Sequence, residues 1–531
     1  MYMATQDRTY CFIPSWYSEP EGWCTQALPW YKRGIRMEFD DTVNQIRLFL
    51  RAGEPVRILL LGSMPELRMF LHREGISGAE IWSVFDRIQG VQGQNPGIFS
   101  YRDISWPADL EWMYTPFLAL AYREGELYAR VEFGEGGHVI FFDLCSCGEI
   151  RQRYYVDDRG FLSYAVFYKG GQAVHREYFN RRMQWQMRED VRTGVIRVNP
   201  EAEYPFARRE YPRMSTLIEE VLWNHFREAE QQSALILASD PRHNEMVCRW
   251  KGDRKLVMSF FEQRNAVTGQ RQEDFRGMRE ADLVVADTEY AAGLLQDQYG
   301  VLAGRILDIS PYDARISLGT SARIRELKIL CYLGNIDFEE RLFWYDALLR
   351  YADRHRHVVL ILGLGREAPD DVTVSSVTEE LKQVIYWGNY HSCVLLEGRA
   401  VVSENEETED AAANVLIQNC KTETEIIGIL RDIRVIADAD PKPDLYLQIA
   451  GMSAGVPQIL RMKSQYVEHQ KNGWILRTRD EFPEALDYFL EGLEHWNAAL
   501  VHSVQKIADY TNGEIVRRWK RVLSETDKKT V

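Results

Sequence analysis

The chain has no stretch approaching the roughly 20 uninterrupted apolar residues that a membrane-spanning helix needs. Its opening, MYMATQDRTYCFIPSWY, lacks the basic-then-apolar order of a secretory signal. Together these absences predict a cytoplasmic protein whose membrane association, if any, is peripheral at the inner face of the cell membrane. Cation excess is missing as well: 64 Lys and Arg against 79 Asp and Glu leave a formal charge of -15. A broad phosphate-neutralising surface needs clustered cations, so no nucleic-acid partner is expected. Cysteine clusters are also lacking. Of eight cysteines only Cys145 and Cys147 lie close, and a single intervening residue fits neither a zinc knuckle nor a redox pair. Free thiols, no metal and no cofactor are expected.

What is present is a globular composition, 45% hydrophobic and 27% charged, spread over 531 residues. That length exceeds what one hydrophobic core serves, so at least two domains are expected. The segment Phe39-Asp40-Asp41-Thr42-Val43-Asn44-Gln45-Ile46-Arg47-Leu48-Phe49-Leu50 carries apolar residues at helical spacing, with Asp40 or Thr42 as cap. The run Ile58-Leu59-Leu60-Leu61 reads as a parallel strand covered on both faces. From about Tyr114 to Val198, short aromatic and β-branched runs alternate with glycine turns, which predicts an antiparallel meander. Strand-like runs at 234–238, 256–260, 283–287 and 305–309 then resume an α/β texture. A second series opens at Leu327–Gly334, continues at His357–Gly363 and Cys393–Gly398, and ends near Trp474–Leu476.

The fold class expected is therefore α/β, with two Rossmann-like lobes and an inserted antiparallel β-sheet domain. The first lobe takes residues 1–112 and 200–315, the insertion 113–199 and the second lobe 316–485. Residues 486–531 form a terminal helix packing back on the first lobe, with Leu493, Trp496, Leu500, Val504 and Ile507 along one face and a frayed polar end. The Ser-, Arg- and Gly-rich stretch Arg315–Arg325 serves as linker, with a cleft expected beside it.

The pairing of Cys11-Phe12-Ile13-Pro14-Ser15-Trp16-Tyr17 with Phe39-Asp40-Asp41-Thr42-Val43-Asn44-Gln45-Ile46-Arg47 resembles accessory secretory protein 1 of the accessory Sec system. Ile309-Ser310-Pro311-Tyr312-Asp313-Ala314-Arg315 and the overall length agree with it. The resemblance implies a glycosyltransferase-B-like fold. It also implies a cytosolic export component that works with two sibling accessory secretory proteins, an alternate Sec translocation ATPase and a glycosylated serine-rich repeat adhesin as substrate.

A broader resemblance, to retaining glycosyltransferases, covers Ala437–Pro457. That family has two acids eight apart followed by Gly-x-Pro; here Asp440 and Gln448 stand at the acidic positions, before Gly455-Val456-Pro457. An amide at Gln448 offers one acceptor oxygen where a carboxylate would take both ribose hydroxyls. The family's diphosphate-neutralising cations correspond to Gly334-Asn335 and Phe338-Glu339-Glu340, which leaves Arg341 as a substitute unless its helix turns it to solvent. Asn335, Arg341, Asp440 and Gln448 are thus degenerate donor-site positions, and no catalytic residue is assigned. A pseudo-glycosyltransferase is expected; an active retaining glycosyltransferase and a lectin-like chaperone of the adhesin are the alternatives.

Other candidates for cleft or partner contact are Trp16, Tyr17 and Trp23 in the aromatic loop after the first strand, with Trp30 and Tyr31 beyond it. Stacking on sugar is one reading of them and packing between lobes the favoured one. Asp240 and His243 end a predicted strand and point to the cleft, though Asp-Pro also starts helices. Asp282 and Asp287 read as capped strand ends. The run Glu404–Asp410 reads as a solvated loop or as a contact for a basic partner. Trp185 and Arg188, at the basic aromatic end of the meander, are the place expected for protein contacts, because exposed sheet edges accept added strands.

Overall fold

The computed structural model of the chain describes residues 8–18, 22–25, 27–31, 37–229, 233–265, 275–396 and 414–528. Two compact units emerge, one from Met1–Asp287, Ala291–Asp308 and Leu523–Val531, the other from Thr288–Tyr290 and Ile309–Val522.

In the first unit, β1 (Tyr10–Ile13), β2 (Val56–Leu60) and β3 (Glu80–Ser83) form one half of a parallel sheet. The chain then leaves it for an antiparallel sheet running from β4 (Glu111–Tyr114) through β11 (Trp185–Asp190) to β13 (Glu210–Tyr211), each strand paired with the next. It returns as β14 (Ala234–Ala238), β15 (Lys255–Phe260), β16 (Leu283–Ala286) and β17 (Ile306–Asp308). The order across the completed parallel sheet is β17-β16-β15-β14-β1-β2-β3. All of β14 is buried, which explains its unbroken apolar sequence: both faces of a parallel strand are covered. The helix Asp41–Arg51 is capped by the Asp40 carboxylate, which accepts the Val43 N–H, and it buries Val43, Ile46 and Phe49.

The antiparallel strands share a core with the parallel sheet. Tyr164, Tyr178 and Met187 belong to one buried cluster with Ile13, Leu237 and the helix Met214–Glu228. Arg159 pairs with Asp86 and Asp157, and Arg68 with Asp86 and Asp158, so the buried charges at this junction compensate one another. Between Phe161–Lys169 and Gln172–Phe179 the hairpin turns on Gly170 and Gly171, with φ of +57° and +74°. Two positive φ values in succession are what a type I′ turn needs and what a Cβ resists.

The second unit is a parallel sheet of β18 (Leu327–Leu333), β19 (Val358–Gly365), β20 (Val415–Cys420), β21 (Ile433–Asp438), β22 (Gln458–Leu460) and β23 (Gly473–Ile475), in the order β20-β19-β18-β21-β22-β23. The strand expected at Cys393–Gly398 is not formed over its described part, where Leu395 makes one isolated bridge to Val415. The preceding helix Val374–Gly388 ends on Asn389 at φ +58°, and Tyr390 and Ser392 then bond back to Asp346 and Asp353. That tether holds Cys393 in the core as loop, and β20 takes the edge position instead. The helix Glu494–Ile507 packs on this second unit, where Trp496 Nε1 donates to Arg434 O at 2.9 Å and Ala499 joins the core. A further helix, Asn512–Lys528, continues through the predicted frayed end as far as Lys528, and its residues from Leu523 group with the first unit. No described helix is long and apolar enough to cross a membrane. All eight cysteines are without disulfides.

Candidate functional site

Strand order reverses between β1 and β14 in the first unit and between β18 and β21 in the second. At such a point the two flanking crossovers leave in opposite directions, and a crevice opens beyond the carboxyl ends of the strands.

In the first unit this brings Pro14–Tyr17, after β1, beside Ser239–His243, after β14. Ser15 Oγ donates to Asp240 Oδ2 at 2.5 Å, while Arg242 holds both oxygens, Nη2 at 2.8 Å and Nε at 2.9 Å. Burial alone would raise the Asp240 carboxyl, but Arg242, His243 and Ser15 hold it down at about 2. His243 is buried, and burial lowers its pKa although Asp240 opposes that. Its Nε2, 2.8 Å from Ala238 O, carries the proton, so Nδ1 accepts from Tyr17 OH at 2.9 Å. The Arg242 guanidinium lies 4.1 Å over the Tyr17 ring, and Trp23 meets that ring edge-on. Trp16 is 3% exposed, packs on Phe70 and donates its indole N–H to Asp40 at 3.0 Å. Burial and the neighbouring Asp41 push Asp40 up to about 6. Arg264 closes the group with a 2.5 Å bond to Asp41. Trp16, Tyr17, Trp23, Asp240 and His243, read from the sequence as separate candidates for cleft or partner contact, are thus brought together in a hydrogen-bonded lattice inside one unit. Trp30 is the open member of the aromatic series, 48% exposed and stacked on Phe117. Residues 19–21 of the loop lie outside the described residues.

In the second unit the crevice is built of carboxylates. Asp438, buried at the end of β21, accepts the N–H groups of Asp440 at 3.1 Å and Asp444 at 2.9 Å. Asp440 accepts those of Asn335 at 2.6 Å and Lys442 at 2.8 Å. Asp444 caps the helix Leu445–Ala454 by accepting from Leu447 N at 2.7 Å, and also pairs with Arg366 at the end of β19. Burial raises the Asp438 carboxyl well above the ordinary carboxylate range, and raises Asp440 as well. A Cβ on Gly334 would stand 2.4 Å from Asp440 Oδ2, so glycine is needed for this loop to close on the aspartate. Gln448 is spent internally: Nε2 donates to Pro443 O at 3.1 Å and the amide oxygen accepts from Ser464 Oγ.

Arg341 does not turn to solvent. It is 6% exposed, bridges to Glu380 on the next helix at 2.8 Å and donates to Ile336 O at 3.0 Å. Glu340, an acid where the resemblance to glycosyltransferases would place a cation, is held by Arg461 at 3.2 Å and Arg479 at 2.8 Å. Sequence reading missed Arg366 and Arg461; each directly follows the carboxyl end of a strand, and that was the available signal. Among the described residues no group of three His, Cys, Asp or Glu is placed to hold a metal ion.

Trp185 and Arg188 lie on β11, which pairs with a strand on each side and so is not the exposed sheet edge expected from the sequence; any contact there is made by side chains, not by an added strand. The Arg188 guanidinium sits 5.4 Å over the indole and bonds Glu177 at 2.7 Å. Neighbouring Arg181, Arg182 and Met183 are exposed. Asp282 and Asp287 are capped strand ends, accepting from Leu256 N and Glu262 N. The run Glu404–Asp410 falls outside the described residues.

Comparison with known proteins places this geometry in a lineage. The family model for the accessory Sec system protein numbered first in its series, accessory secretory protein 1, matches residues 9–526. The Streptococcus gordonii protein of that description is 35% identical over 527 residues, covering 97% of this chain and 99% of the relative. The Staphylococcus aureus one is 28% identical over 512 residues, covering 96% and 97%. Among solved structures, accessory secretory proteins 1, 2 and 3 of Streptococcus pneumoniae match with TM-score 0.79 and 30% identity over 98% of this chain and 99% of that one. The pneumococcal O-GlcNAc transferase GtfA, at TM-score 0.67 and 12% identity over 98% and 99%, shares the glycosyltransferase-B fold. Matched along nearly its whole length, the chain belongs to the accessory Sec system family of accessory secretory protein 1.

Proposed function

We propose that this chain is a non-catalytic docking component of an accessory Sec export complex. In this reading it acts in the cytoplasm, peripherally at the inner face of the membrane, with two sibling accessory secretory proteins. Together they deliver a glycosylated serine-rich repeat adhesin to an alternate Sec translocation ATPase. The observation that carries the reading is the trio Asp438, Asp440 and Asp444, which takes up five backbone N–H groups of the second crevice. Sugar transfer stabilises a departing diphosphate with preorganised donors and positive charge. Here an entering diphosphate would have to displace three carboxylates, two of them bonded only to backbone donors in the contacts given above. The solved assembly of a relative with its two siblings supports the docking role.

A second reading, an active retaining glycosyltransferase acting on a serine-rich protein, is favoured by Arg366 and Arg461, which bring cations to the same crevice. Isothermal titration with uridine nucleotides and their sugar conjugates separates the two. The docking reading expects no saturable heat, together with co-purification of the chain and its siblings. Donor binding followed by turnover on a serine-rich peptide would replace it with the enzyme, and glycan binding without donor binding would indicate the lectin-like chaperone. Within the docking reading, Trp185 and Arg188 are the proposed contact residues; their joint replacement by alanine should weaken complex assembly, and unchanged assembly would remove them.

A further inference from the structure

At the amino ends of the first unit's strands, away from the crevice, Cys11, Arg57 and Leu235 sit side by side in register on β1, β2 and β14. The helix Met214–Glu228 ends over them with His225 and Phe226. Between lies a cavity of 30 Å³, lined also by Thr9, Ser233 and Arg254. One water needs about 10–15 Å³ on the same measure, so the space suits an ion of a few heavy atoms and excludes a nucleotide.

Among the described residues, the charged side chains that line this cavity are all basic. Arg57 breaks an otherwise apolar row; its Nη2 meets the exposed rim residue Glu80 at 2.8 Å, but its Nε is buried with no hydrogen-bond partner among the described residues. Arg254 is 3% exposed and donates to the carbonyls of Phe226 at 2.7 Å, Ala229 at 2.8 Å and Lys251 at 3.2 Å. No described carboxylate neutralises it. His225, stacked on Trp82 at 4.0 Å, is pushed down to about 4 by burial and by Arg57, Arg254 and Arg87. Capping of the helix end accounts for Arg254. It does not account for the orphaned Arg57 nitrogen or for the sign of the field, and a buried cation without a counter-charge is costly.

We infer that this cavity binds a small oxyanion of the phosphate class, held by Arg57 and Arg254 with the Thr9 and Ser233 hydroxyls as further donors. The site is built from residues of the first unit alone, so its existence does not depend on how the crevice of the second unit is used.

The test is calorimetric titration of the full chain with inorganic phosphate at fixed ionic strength, alongside thermal unfolding. One saturable site and a phosphate-dependent rise in Tm are expected. Arg57→Gln should weaken binding by about tenfold or more, since a charge-assisted bond is lost, while Arg57→Lys keeps part of it. Cys11→Met fills the cavity without changing charge and should also abolish binding, which covers the case in which Arg57→Gln fails to fold. Glycerol phosphate titrated in parallel distinguishes a free ion from an ester headgroup, and saturation by either supports the site. No saturable heat up to about 10 mM of either compound, a range that still detects millimolar affinity, would overturn the inference. So would binding that neither Arg57→Gln nor Cys11→Met alters.

Discussion

At the switch point of the first unit, Asp41 meets Arg264 and Asp240 meets Arg242, so these two buried carboxylates each have a guanidinium. At that of the second, Asp438 and Asp440 rest on backbone N–H groups, and Asp444 takes the guanidinium of Arg366. The same topological feature is thus closed by side-chain pairing in one unit and by aspartates bonded to their own loops in the other. The second arrangement consumes the donors a phosphate ligand would use. The first leaves an aromatic-walled lattice whose guanidinium groups are already taken by carboxylates. A shared fold therefore says little about whether a crevice holds a ligand, and the use of each crevice has to be read from its hydrogen bonds.

The comparison can be broken first at Arg264. Arg264→Met leaves Asp41, whose side chain is 1% exposed, without its guanidinium and should cost about 3–5 kcal/mol in denaturant unfolding. A near-neutral result would mean that the first crevice does not depend on pairing. In the second unit, Gly334→Ala drives a methyl into Asp440 and should cost about 1–3 kcal/mol. Combined with Asp440→Ala the cost should fall below additive, as coupled neighbours do; strict additivity would place the strain elsewhere.

Protonation sharpens the contrast. Asp40, raised from 3.8 to about 6, holds its proton more firmly in the folded state, so its contribution to stability declines as pH climbs from about 4 through 6. Asp240, lowered to about 2, contributes stability above about 4 that is lost as pH falls through 2. Asp40→Asn keeps the helix cap and should flatten the decline between pH 4 and 6, raising neutral stability by about 1–3 kcal/mol in unfolding measured at several pH values. An unaltered profile would assign the decline to Asp158, also raised to about 6. The smallest effect is expected at the partly exposed Glu340, where Glu340→Gln should cost less than about 1 kcal/mol and less again in high salt.

Much of the fold was legible because its strands are apolar runs that parallel burial demands, as at 234–238 and 327–333. The central strand β21 is hidden in the sequence because Arg434 interrupts it, and Cys393–Gly398 reads as a strand because an apolar run looks alike in strand and loop. At the candidate site, the resemblance to retaining glycosyltransferases pointed to Gly334, Asp440 and Gln448. It could not show that Arg366 reaches Asp444 across 78 residues, or that Glu380, 39 residues on, turns Arg341 inward. Partners distant in sequence leave no periodic trace.

One consequence follows from the pairing of β1 with β14, whose register joins Tyr10 to Ala234. During synthesis at about 5–20 residues per second, the first strand must wait roughly ten to forty-five seconds for its neighbour to emerge. Throughout that interval one side of Tyr10–Ile13 has only β2 for company, and its other edge is open to whatever strand arrives first. The nascent chain is thus at its most vulnerable before half of it has been made.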